Sequence, residues 1–366
     1  MGLSCGIVGL PNAGKSTIFN ALTAAGSPVA PYAFCTIDPK EGTVAVPDPR
    51  LDVLAGILHP EKRTPATMTF VDIAGLVAGA SRGEGLGNRF LGHIREMDAV
   101  VFVLRAFEDE NVSHVAAQVD PWSDLETVRA ELLLADLETV RRRVERQQKA
   151  ARVGDKEAKA ELEFLGRLDA HLDRGAPAST LAPATEREAT WERGLFLLTA
   201  KPAMLVVNFG EEDLPDGGPR VAALQTRAAG EGLPVVPVCG GLEMELAELE
   251  DPGERAVFME DLGLTASALD RVVAQGYRLL DLITFYTPVG TELRAWTLPA
   301  GTEAARAAGR IHTDMEAGFI KAEVTSYRDF LDAGSESRAR DRGVARAEGR
   351  GYRVRDGDVV RFHFRS

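Results

Sequence analysis

Cysteine is scarce in this 366-residue chain: Cys5, Cys35 and Cys239 stand far apart, with no Cys-x-x-Cys spacing. That excludes a disulfide-built scaffold and a zinc ribbon, and it fits a reducing compartment. Long apolar runs are also missing, since none approaches the ~18 residues of a membrane span. The first residues show no basic region followed by a signal-type apolar stretch and read instead as a β-strand, so the expectation is a cytoplasmic protein without a membrane partner. Basic charge is in deficit. With 42 Lys and Arg against 55 Asp and Glu the net charge is −13, which excludes a protein that coats nucleic acid through a general basic surface. Two local basic stretches remain, one through Arg141, Arg142, Arg143, Arg146, Lys149 and Arg152, the other through Arg338, Arg340, Arg342, Arg346, Arg350, Arg353 and Arg355. Each reads equally as a solvated face or as a partner contact.

What is present is sharper. Gly9-Leu10-Pro11-Asn12-Ala13-Gly14-Lys15-Ser16-Thr17 matches GxxxxGK[ST] and directly follows the apolar run 3–8, where a strand would enter a helix. In that context the backbone N–H groups from Ala13 to Thr17 cradle phosphate, Lys15 places a charge on the β- and γ-phosphates, and the Ser16 hydroxyl is a ligand for Mg²⁺. The chain is thus expected to handle a nucleoside triphosphate.

A helix is predicted over 17–25, followed by a long polar segment through Pro28, Pro31 and Pro39 in which a mobile switch would lie. Residues 67–72 alternate and end in an acid, whereas 99–104, 204–207 and 235–238 are continuous apolar runs typical of strands buried on both faces. With helices between them they predict an α/β fold, a doubly wound and mostly parallel sheet with its site at the carboxyl ends of the strands. Between the strands at 99–104 and 204–207, residues 123–174 carry apolar residues at helical spacing, with a turn at Val153-Gly154-Asp155. They read as two antiparallel helices forming a coiled-coil-like projection, or as two cover helices lying flat on the sheet. After residue 283 short strands at 283–286, 292–297, 319–325 and 359–364, with small helices near 302–308 and 327–332, predict a small α+β domain. The expected division is 1–122 with 196–280 for the nucleotide domain, 123–195 for the helical insertion and 281–366 for the last domain.

Asp72-Ile73-Ala74-Gly75 closes a strand with Asp-x-x-Gly, the arrangement in which a GTPase-type protein holds Mg²⁺ through Asp and senses the γ-phosphate through the Gly N–H. Thr36 is the candidate switch threonine that completes the metal shell. Leu76 occupies the place of the water-orienting glutamine, so unaided turnover should be slow. Asn208-Phe209-Gly210-Glu211 follows a strand where a GTPase has Asn-Lys-x-Asp. Phe for Lys and Glu for Asp disturb the donor and acceptor match that selects guanine, and ATP becomes plausible beside GTP. Phe209 packs either against the P-loop or base, or simply in the core. Cys239-Gly240-Gly241 stands where a loop contacts the base through backbone N–H groups.

The run from Asp72 to Asn88, the Asn-x-x-Glu at 208–211 and Gly309-Arg310-Ile311-His312-Thr313-Asp314-Met315-Glu316-Ala317-Gly318-Phe319 together resemble the YchF or Obg-like ATPase family over essentially the whole chain. The resemblance implies a P-loop G domain with a helical insertion, a C-terminal TGS domain of β-grasp type, hydrolysis of ATP in preference to GTP, and association with ribosomes. The insertion and the TGS-like domain would form the surface for the ribosome, its large subunit or its RNA. The resemblance also makes Leu76 the family's hydrophobic replacement of glutamine, gives His114 the catalytic role, and suggests that Asn12 helps bind K⁺. An imidazole suits the first task, since it orients water with a pKa near neutrality. Ala78, where many members have lysine, and the Cys-Gly-Gly loop depart from the pattern. His312 reads as a structural histidine of another domain, and His59, His93, His171 and His363 have no partners at metal spacing.

Two other classes compete: a binding module in which the nucleotide only fixes conformation, and a small-molecule kinase on the same loop. The first would show no ribosome-accelerated hydrolysis, and the second would yield a phosphorylated acceptor.

Overall fold

The computed structural model describes residues 3–25, 39–73, 86–108, 119–249, 251–264 and 266–365. In chain order the first elements are β1 (Ser4–Val8), α1 (Lys15–Ala25), β2 (Lys40–Ala45), α2 (Pro49–Leu58), β3 (Lys62–Thr64), β4 (Thr67–Asp72), α3 (Leu86–Glu96), β5 (Ala99–Arg105), α4 (Pro121–Arg152) and α5 (Lys156–Asp173). Then come α6 (Glu186–Arg193), β6 (Ala203–Asn208), α7 (Gly218–Gly230), β7 (Val235–Val238), α8 (Gly240–Glu248), α9 (Pro252–Asp261) and α10 (Ala268–Leu279). The last are β8 (Leu282–Val289), β9 (Glu292–Pro299), α11 (Ala304–Ile311), β10 (Phe319–Thr325), β11 (Arg346–Glu348) and β12 (Val359–Phe364), with short helices between β10 and β11.

Two compact units result, Met1–Gly42 with Thr69–Val272, and Thr43–Met68 with Val273–Ser366. The first holds a six-stranded sheet in the order β2-β4-β1-β5-β6-β7, parallel from β4 to β7. β5 is buried at every position, as its unbroken apolar run requires for a strand covered on both faces. The register sets Ile7 opposite Asp72 and Arg105 opposite Asn208, so the carboxyl ends of β1, β4, β5 and β6 lie along one edge of the sheet. This is the edge at which a doubly wound fold binds its ligand.

Both readings of the 123–174 segment hold in part. The first half of α4 is a cover helix: Trp122, Leu125, Val128, Leu132 and Ala135 join the core of the sheet. Beyond Asp136, Leu137 and Val140 pack with Phe164, Leu165, Leu168 and Leu172 of α5 in a separate cluster. The pairs Arg143–Glu161 and Arg141–Asp173 show that the two helices run antiparallel. Gly154, at φ 93°, makes the turn, and Asp155 caps α5 by accepting the Glu157 and Ala158 N–H groups.

The second unit has a mixed sheet, β11-β10-β12-β8-β9-β3, with a parallel pairing of β12 on β8 at its centre. α11 lays Ala304, Ala305, Ala307 and Ala308 against Phe285, Leu298, Val324 and Val360, the helix-on-sheet packing of a β-grasp fold. The alanines allow the close approach.

The division expected from sequence is not reproduced: residues 43–68 and 273–280, both assigned there to the nucleotide domain, belong to the second unit, and 123–195, expected as a separate insertion, fall within the first. β3 runs parallel to β9, the Tyr286 hydroxyl donates to Asp48 at 2.5 Å, and Arg50 pairs with Asp356 at 2.6 Å. Burial alone would raise the Asp48 carboxyl, but bonds from Arg50 and Tyr286 outweigh it and hold the group below its usual range. Asp48 also caps α2, with Pro49 in the first turn.

Candidate functional site

Between β1 and α1 the chain makes a tight loop whose shape depends on glycine at two places. A Cβ on Gly9 would lie 2.3 Å from the Val103 carbonyl oxygen of β5, and one on Gly14, at φ 89°, would lie 2.1 Å from Asn208 Nδ2. Asn12 adopts φ 64°, a left-handed conformation that asparagine tolerates better than most residues. The loop delivers the N-terminus of the eleven-residue α1 to the ligand edge of the sheet, where its first N–H groups lack intrahelical acceptors and its dipole favours an anion. Ala13, Gly14, Lys15, Ser16 and Thr17 therefore lie together at that edge.

Lys15 is 8% exposed, and its ammonium donates to the Leu10 carbonyl at 2.8 Å. Burial lowers its pKa, and the neighbouring Asp72 charge pulls the other way. The Ser16 hydroxyl lies 3.0 Å from Asp72 Oδ2. That separation is the edge of an octahedral oxygen shell with metal–oxygen distances of about 2.1 Å, so a hydroxyl and a carboxylate at this spacing fit Mg²⁺. Among the described residues no group of three or more His, Cys, Asp or Glu could hold a metal ion. Mg²⁺ bound with a nucleotide needs none, because phosphates and water complete its shell.

Asn208 ends β6 and is 5% exposed. Its Nδ2 donates to the Ala13 carbonyl at 3.1 Å and its Oδ1 accepts the Gly240 N–H at 3.0 Å. One side-chain amide thus joins the phosphate loop to the first turn of α8. Sequence reasoning found this residue but gave it only a base-reading role. Its second role needs Ala13 and Gly240 side by side, which no local pattern reveals.

Glu211 is exposed, and a Cβ on Gly241 would lie 3.2 Å from its Oε1, so the carboxylate faces the start of α8. Cys239 sits at the N-cap position of that helix without a side-chain capping bond and is 4% exposed; burial raises its thiol pKa, which leaves it protonated and unreactive at neutral pH. Of the two places open to Phe209, against the P-loop or base or in the core, the side chain takes the core. It is 4% exposed, and a Cβ on Gly217 would meet its ring at 3.0 Å. An apolar ring on the lysine's side of the strand end gains more from that core than from a solvent-facing loop. Thr36, Gly75, Leu76, Ala78 and His114 lie outside the described residues.

Residues 4–135 match the family described as 50S ribosome-binding GTPase, and residues 282–365 match a YchF GTPase C-terminal family described as a protein of unknown function. The chain is 50% identical over 364 residues to the ribosome-binding ATPase YchF of Escherichia coli O157:H7, covering 100% of this chain and 99% of that one. It is 47% identical over 366 residues to the Bacillus subtilis (strain 168) protein of the same name, covering all of both. Among solved structures, the Schizosaccharomyces pombe YchF GTPase superposes with a TM-score of 0.88 at 36% identity, over 99% of this chain and 97% of that one.

Proposed function

The chain belongs to the YchF family, and on that premise we propose that it is a cytoplasmic ribosome-associated ATPase working as a nucleotide-controlled switch. The observation that carries this reading is the convergence of Lys15, Ser16, Asp72 and Asn208 at one sheet edge, in a chain that its ATPase relatives match from end to end. No helix among the described residues is long and apolar enough to cross a membrane.

Ser16 and Asp72 would hold Mg²⁺, with Thr36 as a further ligand, and the metal would neutralise charge on the β- and γ-phosphates. The loop amides and the Lys15 ammonium bind those phosphates and stabilise the charge that builds as water attacks in line. His114 orients the water, the task that Leu76 cannot perform, and Gly75 senses the γ-phosphate. Asn12 is the residue we assign to K⁺. Replacing His114 by alanine is expected to lower hydrolysis by about 10²-fold, the scale of a lost general base, while nucleotide affinity stays unchanged. Parallel loss of both would remove His114 from the mechanism.

Base choice rests on Glu211 and the start of α8. Adenine offers an amino group that a carboxylate accepts, whereas guanine also needs a donor for its O6; Gly240, the first N–H of that turn, already donates to Asn208. Titration with Mg·ATP and Mg·GTP is expected to show affinity at least ~10-fold higher for ATP, the size of one misplaced polar contact at about 1.4 kcal/mol. A clear GTP preference would overturn this reading and make the protein a translation-associated GTPase. Measuring the rate of hydrolysis with and without ribosomes separates an ATPase from a pure binding module, since only the former is accelerated.

Ribosomal RNA is the partner that the hairpin favours. In a chain of charge −13, residues 141–159 carry eight Lys and Arg against three Asp and Glu. Arg146, Lys149, Arg152, Lys156 and Lys159 are exposed near the turn, where they suit contact with phosphate. The C-terminal unit, with its exposed Arg338, Arg350 and Arg353, supplies a second such surface.

A further inference from the structure

The root of the α4–α5 hairpin contains buried charge that nucleotide chemistry does not use. Asp136, on α4, is fully buried and accepts three hydrogen bonds: Leu198 N–H at 2.8 Å, Thr199 N–H at 2.8 Å and the Thr199 hydroxyl at 2.7 Å. Two residues further on, Lys201 donates to the Arg95 carbonyl at 3.0 Å and also to the Met97 carbonyl, which places its charge at the C-terminal end of α3. Arg95 itself reaches across to Thr139 of α4 at 3.0 Å. The end of α3, the middle of α4 and the turn leading into β6 are therefore fastened at one point.

That point marks the change of partner along α4, from the sheet core at Ala135 to the hairpin cluster at Leu137. α3 begins at Leu86, fourteen residues after Asp72, so its N-terminal end follows directly from the segment that leaves the metal-binding carboxylate. We propose that the junction of Asp136, Thr139, Arg95 and Lys201 transmits nucleotide-dependent movement of α3 to the hairpin, so that the direction of the hairpin reports the state of the nucleotide site. This rests on the reading that Mg·ATP binds at Ser16 and Asp72.

The geometry favours transmission over independent sliding of α3. The carbonyls of Arg95 and Met97, at and just past the end of α3, are held by a lysine two residues from Thr199, which is bonded to Asp136 of α4, and the arginine at the same helix end holds α4 directly. A packed, fully bonded joint responds as a body because each of its polar groups loses a partner if one element moves alone. α4 continues for 16 residues past Asp136, a lever of about 24 Å at 1.5 Å per residue. A tilt of about 5° at the root then displaces the tip by about 2 Å.

The test uses the full chain with spin labels at Val153→Cys, 86% exposed at the hairpin turn, and Thr226→Cys, exposed on α7, in a Cys35→Ser background. Label-to-label distance is measured with and without a Mg²⁺-bound ATP analogue carrying a methylene bridge between the β- and γ-phosphates. Binding of the analogue is titrated on the same samples. We expect a shift on the order of 2 Å on binding, reduced by at least half in Thr139→Val, which cuts the Arg95 link, and in Asp136→Ala, with analogue affinity retained. Circular dichroism establishes that each variant is folded, and if Asp136→Ala is not, Thr139→Val decides alone. Binding without any shift overturns the inference but leaves the site intact, as does an unchanged shift in folded variants. Failure of the analogue to bind overturns the site reading and this inference with it.

Discussion

Lys15→Met is expected to abolish measurable ATP hydrolysis and to weaken Mg·ATP binding by at least about 10²-fold, the cost of losing a charged phosphate contact in a shielded site. The ammonium is nearly enclosed and anchored to the Leu10 carbonyl, so it is held in place before the nucleotide arrives. That preorganisation is why its loss should reach the rate as well as the affinity. Stability supplies an independent check with a defined sign. Burial lowers the Lys15 pKa in the folded chain, so between the folded and unfolded values the unfolded chain binds more protons, and nucleotide-free stability rises with pH in that window. Below that window the charged side chain weakens the fold. Lys15→Met, of similar length and uncharged, should then melt no lower than the parent without nucleotide, yet lose the upward shift in Tm that Mg·ATP gives the parent. A variant that melts lower without nucleotide and still responds to ATP would show that Lys15 serves the fold instead.

The phosphate loop was legible because its requirements are local: a strand, two conformationally demanding glycines and a helix start lie within nine residues. The strands after it were legible for a related reason. β5 and β6 are buried on both faces and carry uninterrupted apolar runs, while β4 announces itself by alternation and a terminal acid. Residues 43–68 were not legible as part of the C-terminal unit. The place of helix α2 depends on Tyr286 and Asp356, more than 230 residues from Asp48, and nothing within the segment encodes them. Phe209 shows the same limit at the site. Its position in a base-reading motif left both the ligand and the core open, and Gly217 and the core behind it decide where the ring goes. In α4 the helical period was clear throughout, but the change of partner at Asp136 depends on residues 198–201 of the turn before β6.

Asn208→Ala is expected to weaken nucleotide binding by about 10²–10³-fold without regard to the base. The residue closes two bonds between elements, and its removal leaves the Ala13 carbonyl and the Gly240 N–H without that partner in a site closed to water. Each such group costs about 1–3 kcal/mol, so a loss near 3–4 kcal/mol corresponds to that range of affinity. Asn208→Asp should be nearly as damaging. It keeps an acceptor for Gly240 but removes the donor to Ala13 and sets a carboxylate against a carbonyl. If the amide acted only by touching the base, its loss would alter the ratio of ATP to GTP affinity and spare ligands that have no base. As a strut between the phosphate loop and α8 it predicts the opposite: ATP, GTP and inorganic triphosphate, each with Mg²⁺, all bind more weakly by similar factors. Calorimetric titration of the three ligands decides between them, and retained triphosphate affinity would return Asn208 to base reading alone.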